Sequence, residues 1–413
     1  MTVEPAQPNL VLAVGPDRFE VKASGPELYG ALRHLWVRCL APGQPARYSN
    51  GNSTSDLPDH SGGNGRVDGN GAGNGYGSGQ VLLESEVGVS RVTNDVITAR
   101  RGLSIVFHAA GLADRESGCS VALVAPSGTG KTTAALTLCD EFGYLTDEAL
   151  VVDPSTDEIT AYPKPLAVLP PDGTRPKHLV SPDDLALEIA PPHPVLTALL
   201  VLDRVTAGDG QVEASEQPLV ERLTLEKALA ALVPQTSALT ALPRGLRALC
   251  SLIDRAGGVH RIRYTTTEQL RPVVRDLLTG QDKGAGTRGH PWEPYDVDPP
   301  RTSHTPVESA LPVRVPTASS RPRATGEPAA VQRAPVDDAV VIDERYLALL
   351  CGQRFAVVQG LGWALWEQAA EPVAGETLVD RFATDPEAPE DAADRVRWAL
   401  DELLQQGVLT AVP

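Results

Sequence analysis

Val121–Asp140 reads VALVAPSGTGKTTAALTLCD, and the fold of the larger part of the chain turns on it. Val121-Ala122-Leu123-Val124 predicts a buried strand. Gly128 and Gly130 let the backbone curl so that successive N–H groups point into one concavity. Lys131-Thr132-Thr133 opens a helix-forming run, whose free N-terminal N–H groups and dipole favour an anion. Strand, Gly-rich turn and helix together make a phosphate cradle from Ser127, Gly128, Thr129, Gly130, Lys131, Thr132 and Thr133. Lys131 supplies a charge for the β- and γ-phosphates, and Thr132 a hydroxyl for Mg²⁺. The predicted ligand is a nucleoside triphosphate, ATP or GTP, with Mg²⁺. The pattern departs from G-x-x-x-x-G-K-[ST] at one place, where Ala125 replaces the first Gly.

The rest of the composition narrows the class. The chain has 413 residues and a net charge of -17. That length accommodates two or three domains, and that charge argues against a general binder of nucleic acid or anionic membranes. No apolar run is long enough to span a bilayer, and the N-terminus lacks the basic and apolar regions of a secretion signal. The five cysteines are scattered with no C-x-x-C spacing. They predict reduced thiols in a cytoplasmic protein.

Two tracts divide the sequence. Residues 44–80 are Gly-, Asn- and Ser-rich and predict a disordered insertion. Residues 281–336 are rich in Pro, Gly, Ser, Thr and Arg and predict a flexible linker. The expected organisation is an α/β P-loop domain over 1–280, the linker, and a small α+β domain over 337–413. Within the first, Leu28, Leu32, Trp36 and Leu40 predict a helix over 26–40. The stretches VLLESEVGVS from Val81, DVITA, and GLSIVFHAAGLA read as strands. Gly143 reads as a helix stop. Residues 195–206 predict a buried strand, 223–232 and 246–256 helices, 260–265 a strand and 267–278 a helix. In the C-terminal part, 340–342, 355–358 and 408–412 predict strands; 361–367, 377–382 and 391–406 predict helices. From Asp337 onward there are fifteen acidic and five basic residues, so over half of the net negative charge lies there. Helices with a β-hairpin wing fit a winged-helix plan, but this acidity argues against DNA as its ligand.

Two resemblances follow from these motifs. Phe107-His108-Ala109-Ala110, the P-loop, Leu145-Thr146-Asp147-Glu148 and Tyr162-Pro163-Lys164-Pro165-Leu166 resemble the HPr kinase/phosphorylase superfamily, in particular its kinase-like members in peptide natural-product clusters. Gly352-Gln353-Arg354, Gly362-Trp363-Ala364-Leu365-Trp366-Glu367 and Thr377-Leu378-Val379-Asp380 resemble PqqD-like recognition modules of ribosomally made, modified peptides. The first resemblance implies a mixed sheet and two acidic residues that serve Mg²⁺ and the acceptor hydroxyl, here Asp147 and Glu148. The second acid is longer by one methylene than the family's aspartate. It also implies that His108 lies near the reacting phosphate. The expected catalytic set is thus Asp147, Glu148 and His108, with Thr132 and Asp147 for the metal. The second resemblance implies that residues 337–413 bind the leader of a precursor peptide, with other maturation enzymes as further partners.

Alternatives remain within the sequence. Asp203 closes the apolar run LLVLD, as the acid of an ordinary P-loop ATPase would. Lys164, Arg261 and Arg263 either neutralise phosphate charge or are solvated surface. The leading expectation is an ATP-dependent kinase that phosphorylates a hydroxyl of a precursor peptide. A nucleotide-binding recognition scaffold without turnover is the second, and a kinase of small molecules the third.

Overall fold

The computed structural model describes residues 9–23, 25–43, 49–50, 53–54, 78–170, 177–205, 217–280, 291–297, 330–384 and 388–412. The expected insertion and linker lie for the most part outside these residues. The described chain forms two compact units. The first comprises residues 1–224, 231–242 and 251–289; the second comprises 225–230, 243–250 and 290–413.

The first unit is built on a mixed sheet. Its elements begin with β1 (Asn9–Val14) and β2 (Asp17–Lys22), an antiparallel hairpin, and α1 (Pro26–Leu35). The helix ends five residues earlier than the expected boundary, and Val37–Cys39 continues as a 3-10 turn. Next comes α2 (Ser78–Ala99), where the sequence had suggested two strands. Val89, Val92 and Val96 are all buried, three and four residues apart, which is the period of one helical face. The β-branched content favoured a strand locally; burial of that stripe decided for the helix.

Then follow β3 (Ile105–Ala113), β4 (Cys119–Val124) and α3 (Lys131–Leu138). They lead to β5 (Gly143–Thr146), β6 (Ala149–Val152), β7 (Ile159–Thr160), β8 (Val195–Arg204) and β9 (Leu219–Arg222). Along the chain the short strand β10 (Thr236–Ser237) is preceded by α4 (Leu225–Leu232) and followed by α5 (Gly245–Arg255), two helices of which 225–230 and 243–250 fall in the second unit. The first unit closes with β11 (Val259–Tyr264) and α6 (Leu270–Thr279). The sheet order is β9-β11-β8-β4-β3-β6-β7, with β5 and β10 also paired to β3. β8 runs parallel to β4 and to β11, while β3 is antiparallel to β4. One apolar cluster joins Val121, Leu123, Leu138, Leu200, Ile262, Val274 and neighbouring residues.

Gly143 is not a helix stop. It opens β5, five residues after the end of α3, and a Cβ there would lie 2.5 Å from the Ala190 Cα. Close approach of another backbone is what demands glycine at this position.

The second unit is α+β. β12 (Trp292–Pro294), β14 (Asp338–Ile342), β15 (Tyr346–Cys351) and β16 (Arg354–Gln359) form a four-stranded antiparallel sheet, and β13 (Ala330–Arg333) pairs with β17 (Leu409–Val412). Between these strands come α7 (Gly360–Gln368), α8 (Gly375–Ala383) and α9 (Ala392–Gln406). Trp366, Leu378, Val396 and Leu403 share their core. Thus 292–294 and 330–333, expected as linker, are strands of this unit. Polar and proline-rich composition concealed them because edge strands need few apolar residues. Residues 243–250 also belong here: the Arg247 N–H donates to Asp338 Oδ2 at 2.9 Å, and its guanidinium lies 2.9 Å from Oδ1.

Candidate functional site

The phosphate loop lies between β4 and α3. Gly128 and Gly130 have φ of 86° and 100°, in the left-handed region that favours glycine. Ala125 is buried and has no positive φ, so the replaced first glycine introduces no backbone strain. Thr129 Oγ1 donates to the Pro126 carbonyl at 2.6 Å and steadies the turn. Lys131 Nζ donates to the carbonyls of Ala125 at 2.6 Å and Pro126 at 3.1 Å, so its charge is folded onto the loop. Burial holds the Lys131 ammonium below its ordinary pKa, although Glu148 and Asp147 oppose that shift. Ser127, Gly128 and Thr133 are exposed at the loop and first helical turn.

Sheet register brings the acids to the same place. β3 lies between β4 and β6, with Ala109 opposite Val124 and His108 opposite Ala149. The turn Asp147-Glu148, between β5 and β6, therefore meets the mouth of the loop. Thr132 Oγ1 donates to Asp147 Oδ2 at 2.8 Å. Asp147 Oδ1 accepts from the Tyr144 hydroxyl at 3.0 Å and sits 3.0 Å from Lys164 Nζ. Lys164 also stands 3.1 Å from Glu148 Oε2. The Asp147 side chain is 4% exposed and that of Glu148 49% exposed, so the two acids differ sharply in access to solvent.

Lys164 is not solvated surface: its side chain is 4% exposed. Burial alone would lower its pKa, but Asp147 and Glu148 outweigh that cost and hold it above the ordinary value. Tyr144 is fully buried, and burial with the adjacent Asp147 carboxylate raises its hydroxyl pKa. His108 Nε2 lies 2.9 Å from Ser237 Oγ on β10. Burial and then Lys131 lower the imidazole pKa, with Glu148 opposing, so the ring is neutral at pH 7.

The sequence reading missed Tyr144 and Ser237, and it gave Lys164 no settled role. Tyr144 three residues before Asp147 was the available signal for one of them; Ser237 had none. Asp203, the alternative acid, is engaged elsewhere: its Oδ2 lies 3.0 Å from both Nε and Nη2 of Arg263. Arg261 lies on the same strand.

No family model matches the chain, and no curated protein matches it. Among solved structures, the HPr(Ser) kinase/phosphatase from Coxiella burnetii is similar over 43% of this chain and 96% of that one, with 11% identity and a TM-score of 0.23. Identity and TM-score this low leave the chain's own residues as the ground for its function.

Those residues fit a magnesium–nucleotide pair. Thr132 and Asp147 offer a hydroxyl and a carboxylate oxygen 2.8 Å apart, the hard oxygen donors that Mg²⁺ takes. Among the described residues no group of three or more His, Cys, Asp or Glu could hold a metal. Among the described residues, too, no helix is long and apolar enough to cross a membrane.

Proposed function

We propose that this chain is an ATP-dependent phosphotransferase acting on a hydroxyl of a ribosomally made precursor peptide, whose leader is captured by the C-terminal unit. The observation that carries the reading is the 2.8 Å contact between Thr132, the first threonine after the loop lysine, and Asp147, one of a pair of acids. Phosphoryl transfer needs phosphates held, charge neutralised and an acceptor aligned; it asks little covalent chemistry of the protein. The loop N–H groups and Lys131 hold the phosphates. A phosphate would also offer a counter-charge to the half-buried Lys131, whose direct partners among the described residues are two carbonyls. When bound, Mg²⁺ neutralises charge that develops on the phosphates, and Thr132 and Asp147 would hold it.

The two acids divide the remaining work. Both Asp147 oxygens are engaged and buried, so its geometry is fixed. Glu148 is half exposed, with Lys164 beside its Oε2, and is the group proposed to accept the hydroxyl proton. His108, neutral and tethered to Ser237, lines the same mouth.

The C-terminal unit supports peptide capture through its sheet edge. Among the described residues β16 pairs with β15 alone and forms an edge of the four-stranded sheet. Beside it lies an open pocket of about 500 Å³, lined by Arg345, Gln359, Trp363 and Glu367 among others. An extended peptide adding to that edge would place alternate side chains toward the pocket. The winged-helix, PqqD-like reading of residues 337–413 belongs to this proposal, as do other maturation enzymes as partners.

The test is incubation of the full chain with its precursor peptide and γ-labelled ATP. Label on a peptide Ser or Thr, lost in Lys131→Ala, is expected. Nucleotide binding without any label would instead favour a recognition scaffold that lacks turnover.

A further inference from the structure

Arg204 ends β8, the strand that runs parallel to β4 and delivers its C-terminal end to the same side of the sheet as the phosphate loop. Side chains alternate along a strand, and Ala198, Leu200 and Leu202 all enter the cluster that packs against α3. Arg204 shares their parity, so it emerges on the α3 face. There its guanidinium closes on the loop: Nη1 lies 3.4 Å from the position of a Cβ on Gly130, the residue that caps α3. The preceding residue behaves differently. Asp203 has the opposite parity and is tied to Arg263.

No acid neutralises Arg204 among the described residues, although Asp203 is its chain neighbour. Opposite it on β11 is Tyr264, whose hydroxyl is buried without a hydrogen-bond partner among the described residues. The loop's two cations are therefore set differently. Lys131 is folded onto the loop carbonyls, while Arg204 approaches the glycine just before it from the neighbouring strand.

We propose that Arg204 is a phosphate-binding residue that reaches the β- and γ-phosphates of a nucleotide held in the loop. The inference rests on the loop being a nucleotide cradle, as argued above. Its chemistry is specific to arginine. A planar guanidinium offers paired donors that match two phosphate oxygens, whereas lysine supplies a point charge. Lys164 is engaged by Asp147 and Glu148, whereas among the described residues neither Lys131 nor Arg204 is paired with an acid. Arg204 is exposed and stands at a strand end, so its replacement leaves the core intact.

Titration with a fluorescent ATP analogue, with Mg²⁺ present, tests this on the full chain. Arg204→Ala should weaken binding by roughly tenfold, equal to about 1.4 kcal/mol. The analogous AMP should bind both proteins alike, since it lacks the β- and γ-phosphates. Arg204→Lys should recover only part of the loss. The melting temperature without nucleotide should equal that of the parent chain. If Lys131→Ala loses binding while Arg204→Ala binds ATP as the parent does, Arg204 is a solvated surface residue and the inference is overturned alone. If the parent chain binds no nucleotide, the cradle reading falls and the inference with it.

Discussion

Lys164 shows how one buried cation organises the site. It stands between Asp147 and Glu148, at 3.0 and 3.1 Å, with almost no exposure. Removing one member of such a buried pair leaves the other uncompensated, at a cost of about 3–5 kcal/mol. Lys164→Met should therefore lower unfolding free energy by about that much in urea titrations; a loss under about 1 kcal/mol would show that Asp147 finds other partners. Glu148 makes a contrasting case. It is half exposed, so Glu148→Gln should fold and bind nucleotide normally. Its expected defect is in turnover, by about 10²–10⁴-fold for loss of a general base. Equal turnover in the variant would remove Glu148 from the acceptor role.

At the scale of elements, registers do what side chains alone could not. His108, Asp147, Glu148 and Lys131 come from β3, the β5–β6 turn and α3, and only the pairing of β3 with both β4 and β6 gathers them. β5 is held by close backbone approach at Gly143, where an added Cβ would meet Ala190 backbone atoms at 2.5 and 2.9 Å. Backbone cannot swing aside as a flexible side chain can. Gly143→Ala should accordingly destabilise by about 1–3 kcal/mol and weaken the Asp147 turn with it. A melting temperature unchanged by the substitution would contradict that packing. The helix α2 carries a related lesson. Its valines read as strand formers one by one, and only the burial of Val89, Val92 and Val96 on one face identifies the helix.

For the whole molecule, buried proton-holding groups set an alkaline limit. Burial pushes the Cys39 and Cys351 thiols up to about 12 from 9.0, against opposing pulls from Lys164 and Arg354 respectively. Burial likewise raises Tyr162, and the two carboxylates raise Lys164 against its burial. Each group holds its proton more tightly folded than unfolded. Its contribution is complete below the unfolded pKa and is lost as pH climbs toward the folded one. Melting temperature should therefore hold steady at neutral pH and fall progressively above about pH 9, the ordinary range of the thiols. A midpoint constant to pH 11 would contradict the burial of these groups.

Strand, loop and helix around Lys131 were legible because each is a local pattern: an apolar run, two glycines and a helix-forming run lie within twenty residues. Asp147 and Glu148 were legible as a polar pair at a strand mouth, and the helices of the C-terminal unit by their apolar period. Lys164, Tyr144, Ser237 and Arg204 were not, since their meaning lies in what approaches from far along the chain. An isolated lysine is solvated by default, and nothing local announces that two carboxylates will enclose it. The strands 292–294 and 330–333 were hidden for the same reason, being strands by virtue of their partners. The sequence by itself determined that a strand, a glycine-rich turn and a helix follow one another around Lys131, because such a loop is made of contiguous backbone. Which charges are buried, paired or left facing it was decided only by the tertiary structure, because burial and ion pairing arise between segments that no local pattern connects.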